Sequence, residues 1–218
     1  MSASRDIDLA TWPAADQFRF FRGFERPHYA ITARVDVSRL MALKESLPVF
    51  RTCLWVIGHA LHAVPELRMR FADDRVTLHD RLDLSPTIAT EGGDFRYTYI
   101  PWQPDRAAFD AEAARLIAGV RAGEPLNANT GEREAVAYLS CLPWMDYTAL
   151  DNALPYAGDC IPRVSWGRIG AASQGHDMAM TIQVHHALVH GAHVGRFFEA
   201  VQSALDALPG LPDGPELR

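Results

Sequence analysis

Four histidines crowd one short segment: in QVHHALVHGAHVGRFF, from Gln183 to Phe198, they are His185, His186, His190 and His193. Imidazole titrates near neutral pH and ligates metals as readily as it moves protons. Such a cluster can therefore be a metal centre, a catalytic base among bystanders, or histidines that fill space. The adjacent pair ends an apolar run of strand character, where successive side chains point to opposite faces, so only one of the two can enter a given pocket. His186, His190 and His193 could meet across the following turn, but no HExxH-type frame surrounds them. The spacing favours a single base at a strand end, placed to take a proton, with no metal.

The elements that must position such a base are legible in the rest of the chain. His28, Ala30, Thr32 and Arg34 alternate with Tyr29, Ile31, Ala33 and Val35, which predicts a strand with one buried face and Asp36 capping a short helix after it. Pro48 to Val64 is apolar nearly all round at helical length and predicts a core helix. Between Val76 and Trp102, β-rich runs broken by TEGGD predict paired strands. Phe109, Ala113, Leu116, Ile117 and Val120 recur at helical spacing until Gly123 and Pro125 stop the pattern. After the polar loop NANTGERE come three strands, AVAYLSCLPW, IPRVSWGRIG and DMAMTIQVHH, then a helix from about Gly191 to Leu208. Strands and helices mix without strict βαβ alternation. This predicts an α+β fold, a mixed β-sheet with packed helices, in a single domain over 1–218 with a frayed tail at about 209–218.

Composition narrows the function classes. A net charge of -6 and pI near 5.8 leave no basic field for nucleic acid. There is no apolar leader in MSASRDIDLATW and no run of the roughly 18–20 apolar residues a membrane span needs, so a cytoplasmic protein is expected. Cys53, Cys141 and Cys160 are odd in number and lack CxxC spacing, which argues for reduced thiols rather than disulfides or a thiolate zinc site.

The histidine segment VHHALVHGAHVGRFFEAVQ resembles the signature of the chloramphenicol acetyltransferase family, HHxxxDG followed by HVG. FRFFRGFERPHYAITARVDV, ELRMRFADDRVTLHD, YLSCLPW and IPRVSWGR resemble further family segments in the same order, from about Trp12 to Leu205. The resemblance implies a homotrimer of mixed-sheet subunits that binds acetyl-CoA and a small hydroxyl acceptor at the subunit interfaces. It implies His186 as general base and Ser140 as the hydroxyl donating to the oxyanion. Ser165 would hold a water near the same intermediate, Phe20, Phe21, Tyr29 and Phe95 would line the acceptor pocket, and Trp144 and Arg168 would contact the CoA. Chloramphenicol or another secondary metabolite would be the acceptor.

The pattern is broken at four places. His190 stands where the family has aspartate and Ala14 where it has that aspartate's arginine partner; replacing both members of a buried pair can be nearly neutral, whereas losing one costs about 3–5 kcal/mol. Phe21 and Ile169 replace tyrosines that touch acceptor and CoA. These changes keep open a repurposed pocket, such as carrier-protein acyl transfer or cyclisation, and a non-catalytic small-molecule binder.

Overall fold

The computed structural model describes residues 3–129 and 131–210. The chain runs β1 (Ser4–Ile7), α1 (Ala15–Arg22), β2 (His28–Asp36), α2 (Ser38–Ala42), α3 (Val49–Ala63), β3 (Met69–Ala72), β4 (Arg75–His79), β5 (Asp83–Ala89), β6 (Phe95–Tyr97), β7 (Ile100–Pro101), α4 (Arg106–Arg121), β8 (Val136–Leu142), β9 (Arg163–Gly167), β10 (Gly170–Ala171), β11 (His176–His185) and α5 (Gly191–Asp206). Local signals set several helix ends. Asp105 caps α4 by accepting from the Ala107 and Ala108 amides, and Gly123, at φ 109°, follows its last turn. α3 stops where Val64, extended before Pro65, cannot stay helical. Asp36, expected to cap the short α2, lies one residue before its N-cap Val37 and accepts from the Ser38 amide at 2.7 Å in the turn that leads into the helix.

An eight-stranded mixed sheet organises the rest. β11 pairs with β2 on one side and with β9 and β10 on the other; β8 lies parallel between β9 and β5, and β6 and β7 pair with β5 beyond. A separate three-stranded sheet holds β1, β4 and β3. In the large sheet Leu139, Val164 and Ile182 align in one row and join α3, α4 and α5 in a single apolar cluster. α3 is buried from Thr52 to Gly58 and from Ala60 to His62, as its all-round apolar pattern requires. Gly58 admits the Trp102 ring: a Cβ there would sit 2.0 Å from Trp102 Cδ1.

The predicted elements form with shifts of a residue or two at their ends. β2 departs from expectation in its burial. Only Val35 of its apolar set is buried, and Ile31 is exposed. β2 is the outer strand, paired on one side only, so much of its apolar face lacks the cover that an interior strand receives. Of the expected frayed tail, residues 211–218 lie outside the described part of the chain, as does Thr130 of the polar loop.

Candidate active site

Side chains opposite one another in a sheet share a face, so register converts strand alternation into rows. Next to the apolar row runs a polar one, Ser85–Tyr138–Arg163–Gln183, contributed by β5, β8, β9 and β11. On its other side from this row lies the apolar row, and beyond that a row of hydroxyls: Ser140, Ser165, Thr181 and Thr32 from β8, β9, β11 and β2. Thr32 and Thr181 Oγ1 are 2.6 Å apart, Thr181 lies 3.3 Å from the Tyr147 hydroxyl, and Tyr147 donates to the Ser165 carbonyl at 2.9 Å. This chain fixes the β9–β11 pair beside Ser140. The start of β8 is held by Arg70, a buried guanidinium that donates to the Glu134 and Val136 carbonyls at 2.9 and 2.6 Å.

Both polar rows face a covering segment between β8 and β9. The Gln183 amide oxygen accepts from the Asn152 backbone at 2.8 Å, and His28 Nε2 donates to the Asp159 carbonyl at 2.5 Å. Asp159 also accepts from Arg163 at 2.6 Å, a pair with side chains only 5% and 12% exposed. Beneath this cover is a cavity of about 350 Å³ that Ser85, Tyr138, Asn152, Arg163, Ser140 and Ser165 help to line. A larger, more apolar cavity of about 620 Å³ adjoins it; Phe50, Phe95, Trp144 and Arg121 are among its walls. Ser140 and Thr87 line both, so Ser140 stands at their junction. Cys141 lies beside it in the larger cavity, but burial pushes its thiol up to about 11, which keeps it protonated and a poor nucleophile. Arg168 is exposed; its amide donates to the Met145 carbonyl at 2.7 Å, next to the exposed Trp144.

The histidine pair resolves as strand alternation requires. His185, the last residue of β11, is buried; its Nδ1 accepts from the Ala187 amide at 3.1 Å and its ring lies edge-on to His28 and Phe71. Burial, with His28 beside it, pushes its pKa down to about 4, so it stays neutral. His186 sits one residue past the strand, half-buried in the turn. Its amide donates to the Pro27 carbonyl at 2.9 Å and its ring stacks on Phe21 at 3.8 Å and 6°. Tyr29 approaches the same ring at 4.8 Å and ties down the turn by donating to the Val189 carbonyl at 3.3 Å. His186 Nδ1 is buried without a partner, which leaves Nε2 as the nitrogen available for chemistry. Phe20 and Phe24, both exposed, pack beside Phe21.

The sequence-derived residues thus fall into two groups. Phe21 and Tyr29 pack on His186, with Phe20 beside Phe21; Ser165, Phe95 and Trp144 line the cavities at Ser140, with Arg168 near Trp144. His186 lies five residues beyond Thr181, and Thr181 two strands from Ser140. At ~3.3 Å per residue and ~4.8 Å per strand, the groups are about 19 Å apart in one chain. The Ser85, Tyr138, Asn152, Asp159 and Arg163 set was not singled out from sequence; Ser85, Tyr138 and Arg163 are polar residues within largely apolar strands, and Asn152 and Asp159, in the segment between β8 and β9, carry no such signal. His190 opens α5 with its ring against His193 at 3.6 Å, and His193 Nδ1 accepts from the His190 amide at 3.3 Å. Glu66 pairs with Arg196 at 3.0 Å and approaches His193 Nε2 at 3.6 Å. Among the described residues no group of three or more His, Cys, Asp or Glu side chains is placed to hold a metal ion, and no helix is long and apolar enough to cross a membrane.

Comparison with known proteins agrees with this architecture. Residues 3–202 match the family model described as chloramphenicol acetyltransferase. Chloramphenicol acetyltransferase 3 of Escherichia coli is 23% identical over 203 residues, covering 90% of this chain and 94% of that relative. A solved chloramphenicol acetyltransferase superposes with a TM-score of 0.81 at 25% identity, over 92% of this chain and 98% of the other. The dihydrolipoamide acetyltransferase of Azotobacter vinelandii, at 17% identity, shares the fold with a TM-score of 0.67, covering 88% and 86% of the two chains. A match that runs through both residue groups, from the three-stranded sheet into α5, places the whole described fold in one lineage: the chain belongs to the chloramphenicol acetyltransferase family and is an O-acetyltransferase.

Proposed function

We propose that the chain transfers an acetyl group from acetyl-CoA to the hydroxyl of a small acceptor, with His186 as general base and Ser140 stabilising the oxyanion. His186 Nε2 takes the proton of the acceptor hydroxyl as its oxygen attacks the thioester carbonyl. The C=O electrons move onto oxygen, and Ser140 donates a hydrogen bond to that oxyanion, an interaction typically worth about 3–4 kcal/mol of barrier. When the carbonyl re-forms, the C–S bond breaks, and the leaving thiolate recovers the proton from His186. Stacking on Phe21 and the Tyr29 tether hold the imidazole in place before substrate arrives. The larger cavity, with Trp144 and Arg121 on its walls and the exposed Arg168 outside, suits a thioester arm with an anionic nucleotide end; Phe95, expected against the acceptor, lines this larger cavity and not the smaller one. Ser165, in register beside Ser140, suits a water near the intermediate.

The observation that carries the reading is the position of Ser140 at the junction of two cavities of different polarity. The separation of His186 from Ser140 within one chain supports the homotrimer, with the base of one subunit meeting the serine of its neighbour. The exposed Phe20 and Phe24, packed beside the Phe21 ring that stacks on His186, supply an apolar surface for that contact. A thiol-release assay with acetyl-CoA, chloramphenicol and a panel of hydroxylated metabolites tests the function. Turnover that disappears in His186→Ala with an unchanged circular dichroism spectrum supports it. Equal turnover in His186→Ala, with His185→Ala inactive and folded, would assign the base to the wrong ring.

A further inference from the structure

The smaller cavity has a chemistry of its own. Ser85 is 1% exposed, and its hydroxyl approaches that of Tyr99 without closing a hydrogen bond. Asn152 Nδ2 is buried and also lacks a protein partner. Both residues line this cavity. The Tyr138 hydroxyl accepts from Asn129 at 2.9 Å, which leaves its own proton to donate. The one ion pair in the wall is closed on itself: Asp159 accepts from Arg163 and from the Ile161 amide, and Arg163 donates its other terminal nitrogen to the Ile161 carbonyl. Hydrogen-bonding capacity is thus unspent where charge is already neutralised. A buried donor without an acceptor costs about 1–3 kcal/mol, so these three side chains favour a ligand that satisfies them over one that merely fills the space.

We propose that the acceptor is a neutral, oxygen-rich small molecule whose hydroxyl or carbonyl oxygens accept from Asn152 Nδ2, Ser85 and Tyr138 while one further hydroxyl reaches the Ser140 junction. The proposal rests on the acetyltransferase reading above for the identity of the reacting hydroxyl. It makes Ser85 and Asn152 specificity residues rather than catalytic ones. It also sets the two cavities apart: the polar one recognises the acceptor, the apolar one the donor.

The test follows the Asn152 side-chain amide signal in isotope-labelled protein by NMR during titration with two probe sets. Methyl β-glucoside and N-acetylethanolamine are neutral and oxygen-rich; cyclohexanol and benzyl alcohol are alcohols with apolar bodies. The first set should shift the signal of the parent, and the second should need higher concentration or fail. Binding of the first set, followed in the variants through the Tyr138 signals, should weaken about 3- to 10-fold in Asn152→Leu and in Ser85→Ala, a loss of one hydrogen bond each. Ser85→Ala removes a single oxygen, so it serves if the bulkier Asn152→Leu fails to fold. Preferential binding of the apolar alcohols, no shift from any probe up to its solubility limit, or unchanged affinity in both variants would overturn the proposal. Calorimetry with acetyl-CoA separates the two claims. Acetyl-CoA binding without polyol binding refutes this inference alone, whereas polyol binding without acetyl-CoA binding or transfer refutes the acetyltransferase reading of the site and leaves the recognition chemistry standing.

Discussion

If His186 serves a neighbour's Ser140, two inactive variants should repair each other. Along β11 and across β9 to β8 the two residues of one chain are about 19 Å apart, whereas the base must lie about 3 Å from the attacking hydroxyl and the oxyanion donor about 3 Å from the oxygen of the carbonyl it attacks. No rotamer spans that gap. His186→Ala and Ser140→Ala homotrimers should therefore each be nearly inactive. After denaturation and co-refolding of equal amounts, subunits assort at random in the cyclic trimer, and about one quarter of the interfaces join an intact His186 to an intact Ser140. The same fraction of parental thiol release should return, with KM for acetyl-CoA unchanged because the recovered sites are complete. The control is each variant co-refolded with itself. If the mixture shows no recovery although tagged subunits prove that mixed trimers formed, both residues serve sites within one chain, and the reading of the register fails.

Ser140→Ala should lower turnover by about 10²-fold or more while acceptor affinity changes little, because the missing hydroxyl acts on the oxyanion; a loss confined to KM would assign Ser140 to binding instead. Gly58→Ala should destabilise the fold by about 1–3 kcal/mol in chemical denaturation despite the higher helix propensity of alanine, since the new Cβ would meet Trp102 at 2.0 Å; parental stability would show that Trp102 yields freely. His62 donates from Nδ1 to the Gly58 carbonyl at 2.7 Å and accepts at Nε2 from the Leu82 amide at 3.1 Å, and burial pushes its pKa down to about 4, like that of His185. Their folded pKa values lie below the unfolded value of about 6.5, so the unfolded state binds more protons between. Stability present above pH 6.5 should fall as the pH drops toward 4, by ~1.4 kcal/mol per pH unit for each ring. A denaturation midpoint that stays flat from pH 7 to 5 would contradict neutral burial.

The core of this protein was legible in its sequence wherever a pattern is local. α3 needed only its all-round apolar run, α4 its periodic Phe109, Ala113, Leu116, Ile117 and Val120 up to Gly123, and β11 its continuous apolar stretch up to the histidines. The resemblance of VHHALVHGAHVG, YLSCLPW and IPRVSWGR to known segments brought the candidate residues with it. Alternation says only that His185 and His186 differ, and the resemblance pointed to His186; their surroundings, His185 buried and His186 half-buried against Phe21, came from the structure. Pairing register is likewise set by contacts far apart in the chain, and a slip of one residue would exchange the faces. Register aligned Ser85, Tyr138, Arg163 and Gln183 into one polar row, and Ser140, Ser165, Thr181 and Thr32 into another. It also put His186 a strand's length away from Ser140. Spacing along a chain fixes what a single strand or helix presents to its surroundings; which residues of different strands share a cavity depends on how those strands pair, and only the folded sheet decides that.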